Sequence, residues 1–297
     1  MSPKVAIAGA TGNLGPAVLK ELLAAGFDVT VLTRSSKDRS STFEGAQVAE
    51  VDYSSLDSLT KALEGQDVVV NTLGAIPRDI HLRLIDAAIA AGVQRFIPSE
   101  FGSDTTNPHA AKLPVYADKV AVQEYLRTKS AESGGKFSYT LLVNGPFLDW
   151  GLMVNFLLDL TGPETVLYDG GDRKFSATTL SGVGKGVSGI IKNLDATKNR
   201  TVYIREAEVS QQQLLKLSGK QPATKSVSTS DLEKEAFAEL SKPNPNPGVF
   251  VYNFLRRAIF GDGYGSLFPS EKLSNDLLGV KELSEEDIKG IVSKYYN

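Results

Sequence analysis

The first half of the chain alternates between short apolar runs and longer stretches in which apolar residues recur every three or four positions. Runs of about four to eight residues rich in Val, Ile and Thr are typical of buried strands, and the longer spacing is typical of helices. The predicted strands cover residues 4–9, 28–34, 46–52, 67–74, 95–100 and 137–145. The predicted helices cover residues 14–25, 55–64, 79–91 and 115–132. This alternation predicts an α/β fold: a Rossmann-type, doubly wound parallel sheet with helices on both faces.

The alternation is less regular in the second half of the chain. The elements predicted there are an apolar helix over residues 147–160, a hairpin over 165–179, and helices that begin at the N-caps Ser230 and Ser284. We therefore expect a regular nucleotide-binding domain over residues 1–150, to whose sheet later segments can return. Residues 151–297 would form a smaller, partly helical, substrate-binding region.

Composition limits the classes of function. Of 297 residues, 41% are hydrophobic and 23% are charged, so a sizeable core is expected. The net charge is −3 and no Lys/Arg block stands out, which argues against nucleic acid or a membrane as a partner. The absence of cysteine excludes disulfides and thiolate chemistry, and the longest uncharged run, residues 5–19, is too short to span a bilayer. We expect a cytoplasmic monomer or homodimer.

The stretch "GATGNLG", residues 9–15, follows the first predicted strand and opens the first predicted helix. In that context glycines permit a tight turn, close approach of a diphosphate to the backbone, and close packing of the helix on the sheet. Backbone N–H groups at the helix start would then bind phosphate. The predicted phosphate-binding residues are Gly9, Thr11, Gly12, Asn13, Leu14 and Gly15. A glycine-rich turn without a ligand is the alternative.

The end of the second strand indicates which dinucleotide binds. Enzymes that prefer NAD usually carry an acidic residue about 20 positions beyond the glycines. Here that position is Arg34, followed by Ser35 and Lys37, which could bind the 2′-phosphate of NADP(H). The alternative is an ordinary surface arginine. Asp52, at the end of the third strand, is a candidate to border the adenine.

Several segments together resemble a known family: "GATGNLG", "TRSSK" (33–37), "NTLG" (71–74), "RFIPSEFG" (95–102) and Lys119. They are similar to the isoflavone-reductase-like and NmrA-like group of atypical short-chain dehydrogenases/reductases. The similarity extends over nearly the whole chain and is densest in residues 1–150. It implies a Rossmann core, NADPH as cofactor, and reduction of aromatic secondary metabolites such as phenylpropanoid, lignan or isoflavonoid compounds.

The carboxyl ends of the fourth, fifth and sixth predicted strands should converge around the nicotinamide, because ligands of open parallel sheets bind at that edge. The residues predicted there are Leu73, Gly74, Ala75, Ser99, Glu100, Phe101, Asn144, Gly145, Pro146 and Phe147. Ser99 lies near the place of the usual catalytic serine of short-chain dehydrogenases, although a serine that only caps its strand is an equal alternative.

The family resemblance places the active-site lysine at Lys119. This lysine would assist proton transfer or hold the nicotinamide ribose, whereas the helix alone favours a solvated lysine. Many short-chain dehydrogenases use Tyr-x-x-x-Lys, but here Tyr116 is three positions before Lys119. Both still share a helix face, so we expect Tyr116 to border the pocket without assigning it the proton.

Candidate substrate contacts are Phe101, Tyr116, Phe147, Trp150 and Tyr252, with ordinary core packing as the alternative. Of the two histidines, His81 is expected on the helix after Pro77, and His109 in a loop. No metal site is predicted, because the acidic residues show no ligand spacing.

The sequence favours an NADPH-dependent reductase of a small aromatic substrate, with hydride transfer assisted by Lys119. A second possibility is an NmrA-like regulatory protein that senses the redox state of NADP(H) without turnover. A third is a redox-neutral cyclase or isomerase that retains the cofactor. Lys119 favours the enzyme, because the resemblance associates this lysine with the catalytic branch.

Overall fold

A computed structural model of the chain describes residues 2–34, 43–74 and 76–296. Its strands are β1 Lys4–Ala8, β2 Asp28–Thr33, β3 Gln47–Glu50, β4 Val68–Asn71, β5 Arg95–Ile97, β6 Ser138–Val143, β7 Glu164–Tyr168, β8 Phe175–Ala177, β9 Arg200–Tyr203, β10 Ala207–Val209 and β11 Ala223–Val227. Its α-helices are α1 Gly15–Ala24, α2 Leu56–Leu63, α3 Arg78–Ala90, α4 Pro108–Ala111, α5 Ala117–Glu132, α6 Leu148–Met153, α7 Leu180–Lys192, α8 Gln211–Leu217, α9 Thr229–Leu240, α10 Pro247–Phe260, α11 Asn275–Leu278 and α12 Glu285–Tyr296. Short 3-10 turns cover Pro114–Tyr116 and Ser270–Lys272.

Within the described residues, seven strands form a parallel sheet in the order β3-β2-β1-β4-β5-β6-β9. The six strands predicted from the sequence are all present, and the α/β fold class is confirmed. The seventh strand, β9, comes from the second half of the chain. Because β1 lies between β2 and β4, the strand order reverses there, and a crevice opens at the carboxyl edge of the sheet.

Both faces of the sheet are covered by helices, as the near-continuous apolar strands require. Val5 and Ile7 of β1 point into a core shared with α1, α7 and α11. Ala6 and Ala8 alternate with them and point into the opposite core, which is shared with α2, α3 and α5. The sheet is therefore the middle layer of three.

Besides β9, the second half of the chain forms two further small sheets. β7 pairs with β11 in parallel, and β8 pairs with β10 in antiparallel orientation. The predicted hairpin over 165–179 is therefore wrong, because its two strands pair with different partners. The predicted helix over 147–160 is shorter than expected and ends at Met153.

Two further helices in this region begin at serine caps. Ser228, not the predicted Ser230, caps α9. Ser284 caps α12 as predicted: its backbone N–H donates to the Asp287 carboxylate, and the Asp287 N–H donates back to Ser284 Oγ. In the part of the chain that the structure describes, no helix has the length and apolarity to cross a membrane.

Candidate active site

The glycine-rich loop between β1 and α1 lies directly against the end of β4. Gly9 has φ +88°, and a Cβ there would lie 2.7 Å from the backbone of Thr72 and Leu73. A Cβ on Gly15 would overlap the carbonyl oxygen of Gly9. The loop can therefore form only with glycine at both positions. Gly15 packs on the loop itself, and not on the sheet as its spacing suggested.

The start of α1 presents unpaired backbone donors. Leu14 is the N-cap and its side chain makes no capping hydrogen bond, and the first turn carries no acidic residue. Among the described residues, the N–H groups of Asn13 and Leu14 donate to no protein acceptor, whereas the Gly12 N–H donates to Gly9 O at 3.0 Å. Free N–H groups at the positive end of a helix, beside residues without side chains, fit a phosphate.

Arg34 lies exposed directly after β2, at the same edge of the sheet. It is near Tyr53: burial raises the pKa of the Tyr53 hydroxyl to about 12, and the Arg34 charge opposes this rise. Asp52 is exposed, and its carboxylate accepts hydrogen bonds from the N–H and hydroxyl of Ser54, which lower its pKa. Ser35 and Lys37, the other candidates for the 2′-phosphate, lie outside the described residues, as does Ala75.

A cavity of about 700 Å³ extends from this loop across the ends of β4 and β5 to α5 and α10. The predicted site residues that line it are Gly12, Asn13, Leu14, Gly74, Ser99, Glu100, Phe101, Tyr116, Lys119 and Phe147. Its walls are otherwise largely apolar, with Ile76, Pro77, Val115, Val122 and Leu255. One connected space therefore joins the phosphate-binding loop to Lys119.

Other predicted residues do not line the cavity in the part of the chain that the structure describes; they are Gly9, Thr11, Gly15, Arg34, Asp52, Leu73, Asn144, Gly145, Pro146, Trp150 and Tyr252. Trp150 lies behind Phe147, edge-on to its ring at 6.4 Å. Tyr252 is 41% exposed and its ring packs on Phe156 instead. These two aromatic rings are thus placed away from the space that a substrate could occupy.

Two of the predicted residues that do not line the cavity, Asn144 and Gly145 at the end of β6, are buried in the protein. A Cβ on Gly145 would overlap the carbonyl oxygen of Ser176, so this glycine permits close packing on β8. Asn144 is fully buried, and its Oδ1 has no hydrogen-bond partner within the described residues.

Lys119 lies in the first turn of α5 and is half-buried. Its Nζ donates a hydrogen bond to the carbonyl oxygen of Glu100, and among the described residues no carboxylate pairs with it. The Glu100 carbonyl precedes Phe101, which has φ +29°, a strained conformation for a residue with a side chain. Burial lowers the pKa of the Lys119 ammonium, and the nearby Glu100 carboxylate opposes this effect. Within the described residues, Lys119 is therefore a cation without a carboxylate at ion-pair distance, and its burial makes it easier to deprotonate.

Glu100 supplies a buried carboxyl group behind Lys119. It is 3% exposed, and it accepts hydrogen bonds from Gln123 Nε2 at 3.0 Å and Thr105 Oγ1 at 3.2 Å. Burial raises its pKa, while the positive charge of Lys119 acts in the opposite direction. Glu100, one of the predicted site residues, thus lies in the cavity wall, but its carboxyl group already accepts hydrogen bonds within the protein.

The hydroxyl groups of Tyr116 and Ser99 are also bonded within the protein. Tyr116 donates to Ser103 Oγ at 2.7 Å, and burial raises the pKa of its phenol. Ser99 Oγ donates to the carbonyl oxygen of Leu73 at 2.7 Å, which agrees with the strand-capping alternative. Lys119 also makes one hydrogen bond within the described residues, but its ammonium has three N–H groups, so it keeps donors that the protein does not use.

His81 lines the same cavity, although the sequence indicated only that it lies on α3. It is 9% exposed, and its Nδ1 lies 2.9 Å from Asn71 Nδ2. The sequence feature that could have predicted this place in the cavity wall is the position of His81 in the first turn of the helix that follows β4. His109 is exposed, packs on the Tyr264 ring at 6.0 Å and lies outside the cavity. The described ranges contain no cluster of His, Asp and Glu that could hold a metal ion.

Comparison with known proteins places this geometry in a family. A family model described as "NmrA-like family" matches residues 1–265. The chain is 37% identical over 307 residues to Oxidoreductase aprR of Aspergillus flavus, covering 99% of this chain and 100% of that protein. It is 31% identical over 299 residues to Oxidoreductase poxI of Penicillium oxalicum, covering 96% and 92%. The structure of the leucoanthocyanidin reductase–NADPH complex from Vitis vinifera matches with a TM-score of 0.76 at 21% identity, covering 99% of each chain, which shows a shared fold.

Proposed function

Because the chain belongs to the NmrA-like family, we propose that it is an NADPH-dependent reductase of a small aromatic molecule, with Lys119 assisting proton transfer. The observation that carries this proposal is the single cavity that joins the unpaired N–H groups of Asn13 and Leu14 to the Lys119 ammonium. The relatives named as oxidoreductases support it. So does the related fold solved as a complex with NADPH.

The glycine loop fits the diphosphate of this coenzyme. Gly12, Asn13 and Leu14 would hold the diphosphate, and Arg34 would bind the 2′-phosphate through charge-assisted hydrogen bonds. When bound, NADPH supplies the chemistry of hydride donation, that is, two electrons with one proton. The Lys119 Nζ holds the second proton that the reduced product requires, and water restores it afterwards.

The position of Lys119 suits this role. Its Nζ is anchored by the Glu100 carbonyl, and its lowered pKa makes proton release easier near neutral pH. A positive charge in a partly apolar cavity also stabilises negative charge that develops on an acceptor oxygen.

The walls of the cavity favour a flat, apolar substrate. Val115, Phe147 and Leu255 supply apolar surface in the same cavity as Lys119. A volume of about 700 Å³ is in the range of small-molecule sites. We infer that the substrate is an aromatic secondary metabolite of the phenylpropanoid or isoflavonoid type, bearing a group that accepts hydride.

The proposal is tested with Lys119→Ala, using as the matched control Lys129→Ala, in the last turn of the same helix and outside the lining of the cavity. Oxidation of NADPH is followed with a panel of phenylpropanoid, isoflavonoid and quinone substrates. We expect Lys119→Ala to lower kcat by about a hundredfold or more, while NADPH affinity changes by less than about threefold. Lys129→Ala should behave as the wild type.

Three results would contradict parts of the proposal. Turnover that survives in Lys119→Ala would exclude the role in proton transfer. Binding of NADPH without turnover of any substrate would favour the redox-sensing regulator. Turnover without net oxidation of NADPH would favour the cyclase or isomerase.

A further inference from the structure

His81 occupies a position in the cavity wall that no part of the proposed reaction uses. The N–H of Leu73 donates to Asn71 Oδ1 at 3.1 Å, which fixes the orientation of the Asn71 amide. The amide NH₂ therefore points at His81 Nδ1, 2.9 Å away. Since an NH₂ group can only donate, Nδ1 must accept. The ring is then neutral, with its proton on Nε2.

This bond connects α3 to the end of β4 and, through the bond from the Leu73 N–H to the Asn71 amide, to the loop that follows β4. Asn71 is the last residue of β4, and the Gly74 backbone lies close enough to raise the pKa of the His81 ring. The carbonyl of Leu73 accepts from Ser99 Oγ, which connects the same loop to the end of β5. His81 is thus one end of a hydrogen-bonded chain that crosses the cavity wall.

The loop held in this way also supports the phosphate-binding turn. The backbone of Thr72 and Leu73 packs so closely on Gly9 that a methyl group there would not fit. Thr72 and Gly74 themselves line the cavity. A displacement of residues 72–74 would therefore disturb both the glycine loop and the space beside Lys119.

We propose that His81 is a positioning residue: its neutral ring holds residues 72–74 in the conformation that coenzyme binding requires, so that protonation of the ring weakens coenzyme affinity. The inference rests on the proposed function, since it presumes NADP(H) in this cavity. Protonated Nδ1 would place an N–H against the Asn71 NH₂, and two donors repel each other.

The charges around the ring determine the pH at which this occurs. Burial lowers the pKa of His81; Lys119 lowers it further, whereas Asp118 and the Gly74 backbone raise it. Asp118 is itself paired with Arg78 of α3 at 3.5 Å, and the buried Glu100 lines the same cavity from the end of β5. Because the pKa in the folded protein is depressed, the hydrogen bond is intact at neutral pH. It is lost as the pH falls through the depressed pKa of His81, which lies below the ordinary histidine value of about 6.5.

The test measures the affinity for NADP⁺ by calorimetry between about pH 8 and about pH 5, where histidine titrates. His81→Gln keeps a neutral acceptor for Asn71, and His81→Leu removes it. His109→Gln is the matched control, because His109 is the second of the two histidines in the sequence and is exposed outside the cavity. The 2′-phosphate of NADP⁺ also titrates, at about pH 6, but it does so equally in all variants. The comparison is therefore between the variants in how steeply NADP⁺ affinity changes with pH.

At about pH 8 we expect His81→Gln to bind NADP⁺ within about twofold of the wild type, and His81→Leu to bind about tenfold more weakly. Toward about pH 5 the affinity of the wild type and of His109→Gln should fall about tenfold more than that of His81→Gln.

The proposal would be overturned if the NADP⁺ affinity of the wild type and of His81→Gln fell equally with decreasing pH. It would also be overturned if His81→Leu bound NADP⁺ as tightly as the wild type. If His81→Leu does not fold, as judged by its thermal unfolding, the His81→Gln comparison still decides. Failure of the wild type to bind NADP⁺ at about pH 8 is a separate result that contradicts the proposed function itself.

Discussion

Arg34 follows β2 and is exposed, and in the proposed complex it would bind the 2′-phosphate. Arg34→Ala is expected to weaken NADP⁺ binding about tenfold to a hundredfold, because hydrogen bonds between charged groups contribute about 1.5–3 kcal/mol. NAD⁺ lacks this phosphate, so its affinity should stay within about twofold. Calorimetry with both coenzymes measures the difference, and Arg200→Ala, at the opposite edge of the sheet, is the control. An unchanged preference for NADP⁺ would show that Arg34 does not bind the phosphate.

The residues around Lys119 illustrate what a sequence specifies at this scale. The strand end predicted Glu100 at the site, the family resemblance indicated Lys119, and helix spacing put Tyr116 on the same face as Lys119. The structure places all three in the wall of one cavity. The pattern did not predict that the Tyr116 hydroxyl points to Ser103. Hydrogen-bond directions depend on rotamers and on neighbours from other elements, which periodicity does not contain. His81 was missed for the same reason.

At the scale of elements, the start of α1 depends on the absence of a side chain at Gly15. In Gly15→Ala the new methyl group would overlap Gly9 O and lie 2.6 Å from the Ala10 Cα, both backbone atoms that cannot rotate away. We expect a loss of about 1–3 kcal/mol in the free energy of unfolding, measured with urea, together with weaker NADP⁺ binding.

Gly290→Ala is the matched control for this substitution. Gly290 is exposed in α12, and a Cβ there would have no neighbour within 4 Å. The replacement should stabilise the protein by about 1 kcal/mol, since alanine is the better helix former. If Gly15→Ala were as stable as the wild type, the close contact with the loop would not constrain the sequence.

Helix α7 shows why some elements could not be predicted. It contains Gly182, Gly184, Gly186 and Gly189, and each glycine disfavours an isolated helix by about 1 kcal/mol relative to alanine. The helix forms because these positions allow close packing: a Cβ on Gly184 would lie 2.9 Å from the backbone of α1. Tertiary contact thus outweighs local propensity, and the sequence alone does not show which distant elements will make that contact.

The same limit applies to strand pairing in the second half of the chain. The sequence indicated strands near β7 and β8, but β7 pairs with β11, which begins at Ala223. A strand pattern identifies which residues are extended, whereas the partner depends on how distant segments pack.

At the scale of the whole molecule, the parallel α/β sheet was predictable because six of its strands carry the apolar pattern of buried strands. The sequence analysis allowed later segments to return to this sheet, and the structure identifies the strand that does so. β9 pairs with β6, and α7 covers the face of the sheet that α1 shares. The division near residue 150 stays a prediction about coenzyme and substrate binding.

Arg95 is a side chain that joins the two halves of the chain. It is 3% exposed, and its guanidinium donates to Ser138 Oγ and Thr140 Oγ1 in β6 and to Thr197 Oγ1 and Leu194 O after α7. Burial lowers its pKa to about 10. A buried cation bonded only to neutral groups depends on all of these acceptors, because a lost partner leaves charge without compensation.

A fragment of residues 1–150 is therefore expected not to fold cooperatively. It would expose the apolar surface that Val183, Val187 and Ile190 of α7 cover, and the Arg95 guanidinium would lose two of its acceptors. Urea unfolding followed by circular dichroism should give a broad transition, and the fragment should bind a hydrophobic dye that the full chain does not bind. A single sharp transition in the fragment, with NADP⁺ binding like that of the full chain, would instead identify residues 1–150 as an independent folding unit.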